Sequence, residues 1–326
     1  MKWLITGGCG FIGKNLIQKL MENQENSIRV VDNLSVGTRQ DLNWAFPAYI
    51  ESKIDQLHNF SSKSVELVVA DIMDADSAIK LTRGADVIVH LAANTGVGPS
   101  VEDPRSDCMT NVIGTFNYLE GARENNVSRF VFASSGAPIG ECVPPIHEEM
   151  AAHPVSPYGA SKLAGEGYCS VYKQTYGINT VALRFGNVYG PGSTHKSSVV
   201  AKFIRRAMAG KVLEIYGDGS QTRDFIFLFD LIDAIYKAAT VEKVGGEVFQ
   251  IATNKETTVS EMLELLVDVM KESGFPEVRV IKTEARLGDV MRNFSDISKA
   301  KKVLGWEAKW TLKNGLHKTM EFFQNS

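Results

Sequence analysis

The sequence predicts a doubly wound α/β fold, a mostly parallel sheet covered by helices on both faces, joined to a smaller C-terminal α/β lobe. Three observations carry this expectation. Through the first half of the chain short apolar runs alternate with amphipathic helical patterns, which is the rhythm of βαβ units. A turn rich in glycine follows the first of these runs directly. After residue 185 the rhythm breaks into loops rich in Gly and Pro, and such a change marks a second lobe.

The elements follow in order. KWLIT supplies a first strand over Trp3 to Thr6, and a helical pattern occupies Lys14 to Asn23. IRVVD, VELVVAD and ADVIVHLAA read as further strands, the last leading into a helix through Asn111 to Asn125, and RFVFASS reads as the strand after it. These runs are apolar throughout rather than alternating, as a sheet buried on both faces requires. Beyond NTVALRFGNVYG come an amphipathic helix near Val199 to Ala209 and a late helical segment through Glu261 to Lys271. The expected organisation is a first domain over 1–185, rejoined by about 224–253, with a second lobe built from 186–223 and 254–326. No internal repeat or low-complexity tract interrupts it.

Composition narrows the function classes. With 326 residues, 44% of them hydrophobic, the chain can bury a large core. A formal net charge of -3 and no long Lys/Arg cluster leave no basic footprint for a nucleic acid. No stretch approaches the ~18 apolar residues of a membrane span, and a strand beginning at Trp3 leaves no room for a leader. A cytoplasmic protein is expected. The four cysteines are far apart without a CxxC pair, and the six histidines show no metal-ligand spacing, so reduced thiols and no metal are expected.

The turn Thr6-Gly7-Gly8-Cys9-Gly10-Phe11-Ile12-Gly13 opens the first helix. Glycines at 7, 10 and 13 let the chain turn tightly, let backbone N–H groups approach a pyrophosphate and let helix and strand pack closely, with the helix dipole favouring the anion. This is the Rossmann-type dinucleotide turn. Asp32 ends the second strand 19 positions after Gly13, near the offset of ~20 at which an acidic side chain accepts the ribose hydroxyls of NAD and repels a 2'-phosphate. NAD is therefore expected over NADP, and Arg39 nearby keeps NADP open.

Ser156-Pro157-Tyr158-Gly159-Ala160-Ser161-Lys162 sets a tyrosine and a lysine four apart where a helical pattern begins. They share one helix face. A free phenol, with a pKa near ~10, is a poor base at neutral pH and needs nearby positive charge to stabilise its phenolate. Lys162 can supply that charge, as can the nicotinamide ring of NAD. Alone, the pair reads as a solvated helix surface; beside the glycine turn and Asp32 it reads as an acid/base.

The residues TGGCGFIG, Asp32, HLAA at His90 to Ala93, Asn111, Ser134-Ser135 and YGASK together resemble the extended short-chain dehydrogenase/reductase family. In the second half LRFGNVYGPG, YGDGSQTRDFIFLFDL and KKVLGWEAKW look like its nucleotide-sugar epimerase/dehydratase branch, similar to UDP-glucose 4-epimerases. The resemblance implies that Gly7, Gly10, Phe11, Ile12 and Gly13 cradle the NAD pyrophosphate, that Asp32, Asn33, Ser35 and Gly37 surround the adenosine ribose, and that Asp71 and Ile72 flank the adenine. Leu91, Ala92 and Ala93 would run beside the cofactor, with Asn111, Ser134, Tyr158, Lys162 and Phe185 nearer its nicotinamide half. For a UDP-sugar it implies Val97, Ser135, Tyr158, Asn187, Tyr216, Arg223, Arg286 and Asp289, with Lys196 a further phosphate candidate. Arginine forks suit a pyrophosphate and an aromatic ring can stack on a base.

The resemblance also bears on the reaction. Ser135 matches the residue that hydrogen-bonds the reacting hydroxyl. The 4,6-dehydratases carry Asp and Glu at the next two positions, which here are Gly136 and Ala137, and neither can move a proton. The expected reaction is 4-epimerisation of a UDP-hexose, glucose/galactose or a 2-acetamido form, through a transient 4-keto sugar. A dehydratase, a C5-epimerase and a UDP-glucuronate epimerase or decarboxylase remain open, as does a non-enzymatic NAD sensor. Pro138-Ile139-Gly140 departs from the family's Val-Tyr-Gly, which leaves the sugar open. The helices near Asp107 and Tyr158 resemble those of a homodimeric four-helix bundle.

Overall fold

The computed structural model describes residues 1–61, 63–194, 198–284 and 290–325. Its strands are β1 (Lys2–Thr6), β2 (Ser27–Asp32), β3 (Ile50–Ser52), β4 (Ser64–Val69), β5 (Val87–His90), β6 (Arg129–Ser135), β7 (Asn179–Phe185), β8 (Asn187–Tyr189), β9 (Leu213–Tyr216), β10 (Thr222–Arg223), β11 (Phe225–Phe227), β12 (Val248–Ile251), β13 (Thr257–Thr258) and β14 (Val280–Thr283). The helices are α1 (Phe11–Leu20), α2 (Arg39–Ala45), α3 (Ala75–Thr82), α4 (Val97–Glu102), α5 (Pro104–Cys108), α6 (Gly114–Glu124), α7 (Pro157–Tyr176), α8 (Val199–Met208), α9 (Leu228–Thr240), α10 (Val259–Glu272) and α11 (Leu312–Gln324).

Among the described residues eight strands form one sheet in the order β12-β7-β6-β5-β1-β2-β4-β3. β1 pairs in parallel with β2 on one side and β5 on the other. The winding therefore reverses at β1, and in such sheets the crevice at the carboxyl ends of the reversing strands is where a ligand binds. The glycine turn follows β1 and the HLAA segment ends β5, so both sequence motifs meet there. Within the sheet Arg29 on β2 and Glu66 on β4 form a buried pair at 2.8 Å, with the guanidinium also donating to Leu81 O and His58 O and lying 4.6 Å from the Phe60 ring centroid.

The chain divides into two compact units. The first comprises Met1–Gly140, Met150–Arg184 and Ala234–Phe249; the second comprises Glu141–Glu149, Phe185–Asp233 and Gln250–Ser326. The expected break at 185 falls at this boundary, but the return over about 224–253 is shorter than expected. Residues 224–233 stay with the second unit because β11 pairs with β8, because the Asp224 carboxylate accepts from Thr253 and Asn254 N–H, and because Asp230 accepts from the N–H groups of Lys309 and Trp310. The segment 141–149, expected with the first domain, also belongs to the second. Ile146 N donates to Phe294 O at 2.9 Å and Ile146 O accepts from Asp296 N at 2.8 Å; nothing local in the sequence announces that pairing. The second unit has its own core, built on Phe203, Ile204, Phe227, Met262, Leu266, Met320 and Phe323.

Helix α1 begins three residues before the expected Lys14, inside the glycine turn itself. The expected helix through Asn111 begins earlier too, at Pro104, and contains a π-helical turn over Met109–Ile113. Helix α7 is started by Ser156, whose hydroxyl accepts from Gly159 N, and by Pro157, and is ended by Gly177 in the left-handed conformation. Two glycines let it lie close to β6. A Cβ on Gly165 would come within 2.3 Å of Phe132 Cζ, and one on Gly159 within 2.6 Å of Ala137 O. No helix among the described residues is long and apolar enough to cross a membrane.

Gly165→Ala should cost about 1–3 kcal/mol by overpacking α7 against Phe132, read as a lower urea midpoint. Gly167→Ala, on the same helix with no atom within 4 Å of the added carbon, should gain about 0.5–1 kcal/mol.

Candidate active site

The site is built from the carboxyl end of β1 upward. Gly7 takes φ +67°, and a Cβ on it would approach Ala92 N to 2.8 Å. A Cβ on Gly13 would sit 2.4 Å from Gly7 O, and one on Gly37 2.4 Å from Cys9 C. These three glycines are demanded by the protein's own packing. Gly10 is different: an added Cβ would meet Gly7 O at 3.2 Å and no other described atom within 4 Å. It is the N-cap of α1, where no side chain supplies a cap. At the positive end of a helix this leaves a cradle that an anion suits and a side chain would obstruct. The open helix start at Gly10 is where a pyrophosphate would fit.

Asp32 is 8% exposed. Its Oδ2 accepts from Cys9 N and its Oδ1 from Leu34 N, both at 2.9 Å. Burial pushes its pKa up while these two N–H groups hold it down, and each oxygen keeps a lone pair for a ribose hydroxyl. Asn33 Nδ2 donates to Asp71 Oδ2 at 3.1 Å and Asn33 Oδ1 accepts from Ser35 N at 3.1 Å, so Asn33, Ser35 and Asp71 form one rim. Arg39, which kept NADP open, turns its fork onto Glu51 in two contacts of 2.8 and 2.7 Å. An exposed pair of this kind is worth about 0–1 kcal/mol, so it biases against a 2'-phosphate without forbidding it. Ile72 is buried beneath α6, its Cδ1 2.6 Å from where a Cβ on Gly114 would stand. Its side chain packs there, directly after Asp71 on the rim.

The acid/base group lies on α7. The nearby Ser135 hydroxyl lowers the Tyr158 phenol pKa against the larger, raising effect of burial. Ser135 Oγ accepts from Ala137 N at 3.2 Å, which leaves its proton free to donate. Lys162 is 3% exposed; its ammonium lies 4.9 Å from the Phe132 ring centroid and 5.9 Å from that of Tyr158. Burial pushes its pKa down to about 8. A cation is thereby held one helical turn from the phenol whose anion it stabilises.

Behind the pair run two buried polar systems that sequence reasoning did not single out. In the first, Ala92 N donates to Thr6 Oγ1 at 3.2 Å, Thr6 Oγ1 meets His90 Nδ1 at 3.0 Å, His90 Nε2 meets Thr115 Oγ1 at 3.2 Å, and Thr115 Oγ1 donates to Asn111 O at 2.6 Å. Since Thr115 spends its proton on Asn111, His90 must donate from Nε2 and accept at Nδ1. A neutral ring is required, and burial pushes the His90 pKa down to about 3. In the second, Ser134 Oγ donates to Glu166 Oε1 at 2.5 Å and Glu166 takes Arg184 in two contacts of 2.8 and 2.7 Å.

These systems include two of the expected cofactor residues. The Ser134 hydroxyl is committed to Glu166, so that side chain braces β6 against α7 and β7. Asn111 sits in the π-helical turn, its Oδ1 accepting from Asn94 N at 2.8 Å and its Nδ2 reaching Asn94 O, Asp107 Oδ1 and Ser161 Oγ. Both side chains are bonded within the unit. Leu91, Ala92 and Ala93 are half-buried at the end of β5, and Phe185 ends β7. Glu166 was legible in principle: Tyr158, Lys162 and Glu166 recur every four residues on one face.

Of the expected sugar-nucleotide residues, Val97 is exposed at the start of α4 and Ser135 and Tyr158 stand together as described. Asn187 on β8, Tyr216 on β9 and Arg223 on β10 belong to the second unit. Lys202 Nζ donates to Tyr216 Oη at 3.1 Å and lies 4.9 Å from its ring centroid. Arg223 Nη1 donates to Thr222 O and Val290 O at 2.7 and 2.6 Å. Lys196, Arg286 and Asp289 lie outside the described residues. Among the described residues no cluster of His, Cys, Asp and Glu has the arrangement of a metal site.

Comparison with known proteins places this geometry. The model of the NAD dependent epimerase/dehydratase family matches residues 3–252. The UDP-glucose 4-epimerase of Mycolicibacterium smegmatis is 36% identical over 100% of this chain and 99% of its own. The crystal structure of a Thermotoga maritima UDP-glucose 4-epimerase with UDP-glucose superposes with a TM-score of 0.87 at 35% identity, covering 100% of this chain and 99% of that one. A UDP-N-acetylglucosamine 4-epimerase from Methanobrevibacter ruminantium, in complex with UDP-N-acetylmuramic acid, gives 0.88 at 29% identity over 99% and 98%.

Removing the Ser135 hydroxyl leaves Tyr158 with the raising effects of burial and of Asp107, so Ser135→Ala should raise the pH at which Tyr158 ionises. A hydrogen bond to a charged group is worth about 1.5–3 kcal/mol, or roughly one to two pH units. Tyrosinate absorbance titration, with a Tyr158→Phe protein subtracted, measures the shift; an unmoved midpoint would detach Ser135 from the acid/base.

Proposed function

Given that the chain belongs to the NAD dependent epimerase/dehydratase family, we propose that it inverts C4 of a neutral UDP-hexose, with Tyr158 as acid and base. Bound NAD supplies the acceptor, and then the donor, of the two electrons and hydrogen exchanged at C4. The chain's own part is positional and protonic. Tyr158 Oη takes the proton of the 4-hydroxyl as the ketone forms, with Lys162 holding the phenolate and Ser135 donating to it. Once the 4-keto sugar has turned over, Tyr158 returns the proton and the configuration at C4 is inverted.

The observation that carries this choice is the loop after Ser135. Elimination of water across a sugar needs an acid and a base, which the resemblance implies a dehydratase carries at the two positions after Ser135, and here Gly136 and Ala137 provide neither. Space is not the reason: a Cβ on Gly136 would find no atom within 4 Å. An acidic side chain would fit and the chain carries none. The relatives named above act on or hold different UDP-sugars, so the sugar rests on this chain's residues. Asn187 stands where UDP-glucuronate 4-epimerases have threonine, and this favours a neutral hexose or its 2-acetamido form.

Met109, Ile113, Tyr168 and Val171 are exposed apolar residues on the π-helical turn and on α7, and Phe116 on α6 meets Tyr168 with ring centroids 5.5 Å apart. We assign this face to a homodimer. Ile113→Glu should convert a dimer to monomers in sedimentation velocity.

Purified protein given UDP-glucose in deuterated water should yield UDP-galactose with no deuterium on carbon, followed by NMR. A 4-keto-6-deoxy product, or deuterium at carbon, overturns the reading. Tyr158→Phe should lower kcat by about 10²–10⁴-fold while leaving UDP-sugar binding in place by calorimetry.

A further inference from the structure

The steps above make no use of Asp107. This residue of α5 is 2% exposed. Its Oδ1 accepts from Asn111 Nδ2 at 3.0 Å, and its Oδ2 is buried with no hydrogen-bond partner among the described residues. Asn111 Nδ2 also reaches Ser161 Oγ at 3.1 Å, so the carboxylate is tied to the helical turn that carries Lys162. A carboxylate this far from water is costly unless an opposite charge lies near it.

The titratable groups that act electrostatically with Lys162 are Asp107 from α5, Glu166 and Cys169 from α7, and His90 from β5, and the Tyr158 ring lies beside it. Glu166 spends both oxygens on Arg184. Burial holds the Cys169 thiol protonated and His90 neutral. Among these groups Asp107 is the negative charge that no guanidinium claims.

We propose that Asp107 is a positioning residue for the reaction: its buried carboxylate, held by Asn111, is the counter-charge that keeps Lys162 an ammonium beside Tyr158. The inference rests on the roles given above to Tyr158 and Lys162. Burial drives Lys162 toward the neutral amine, and Asp107 is the largest influence opposing it. Without Asp107 the ammonium loses its proton at lower pH, and the phenolate then has no cation beside it. Asp107 also repels that phenolate directly, so its removal eases the ionisation of Tyr158. The two effects fall on different limbs of a pH profile. Tyr158 must be able to ionise on the acid side and Lys162 must stay protonated on the alkaline side, and both limbs move down when the charge is lost.

Asp107→Asn keeps the shape and an oxygen for Asn111. With NAD-loaded protein and UDP-glucose, the alkaline limb of kcat should fall by about one pH unit, a roughly tenfold loss of turnover above pH ~8, with KM nearly unchanged. Asp107→Glu should restore the limb. A second readout needs no substrate: in protein carrying 13C at lysine Cε, the resonance lost in Lys162→Met should titrate at lower pH in Asp107→Asn than in wild type. Equal midpoints overturn the proposal, as does a uniform loss of kcat at every pH. Inactivity of the wild type toward UDP-glucose would sink the reaction assigned above and leave the NMR titration to decide Asp107. Asp107→Ser is the second neutral variant; loss of the circular dichroism of the native fold in both overturns the proposal in favour of a purely structural carboxylate.

Discussion

An ammonium group held out of water is the constraint around which the first unit is arranged. Taking a cation into a protein interior carries an effective penalty of several kcal/mol. The faces of Phe132 and Tyr158, with ring centroids 4.9 and 5.9 Å from Lys162 Nζ, return about 0.5–2 kcal/mol each at best. The remainder has to come from charge and from geometry that cannot relax. The missing side chains at Gly159 and Gly165 draw α7 onto β6. That contact sets Ser135 against the phenol and stacks Phe132 under the ammonium.

The buried polar systems hold this geometry from behind. Ser134, Glu166 and Arg184 tie β6, α7 and β7 together, and a carboxylate that fully engages a guanidinium contributes little net charge to its surroundings. The line from Ala92 through Thr6, His90 and Thr115 to Asn111 joins the ends of β1 and β5 to the π-helical turn. It works because His90 is neutral: a protonated ring would have no acceptor at Nδ1 for the Thr6 hydroxyl. Both systems lie beside the acid/base without an unpaired positive charge, because the Arg184 guanidinium is matched by Glu166. The NAD cradle is organised separately, by glycines at the turn and by Asp32, which is fixed through the backbone N–H groups of Cys9 and Leu34.

The parts of the site that depend on short stretches of chain were the legible ones. The turn from β1 into α1, the acidic end of β2 and the Tyr158–Lys162 face each need a handful of neighbouring residues, and each stands where its spacing implied. Parts that depend on distant partners were not. Nothing local shows Arg184, fifty positions after Ser134, drawing Glu166 toward the Ser134 hydroxyl. Gly114, against which Ile72 packs, belongs to another element. The segment 141–149 reads as loop until Phe294 and Asp296 pair with it.

Taken by itself, the sequence determined the class of fold, the glycine turn that opens α1, the acidic end of β2 and the shared helix face of Tyr158 and Lys162. All of these follow from periodicity, missing Cβ atoms and charges a few residues apart, and such patterns survive any arrangement of the rest. Tertiary structure alone decided how charged that pair is. Burial of Lys162, neutrality of His90 and Cys169, engagement of Glu166 and the isolation of Asp107 are properties of solvent exclusion and of partners remote in the chain. Electrostatic energy depends on distance and on surrounding water, and neither is written in the order of the residues.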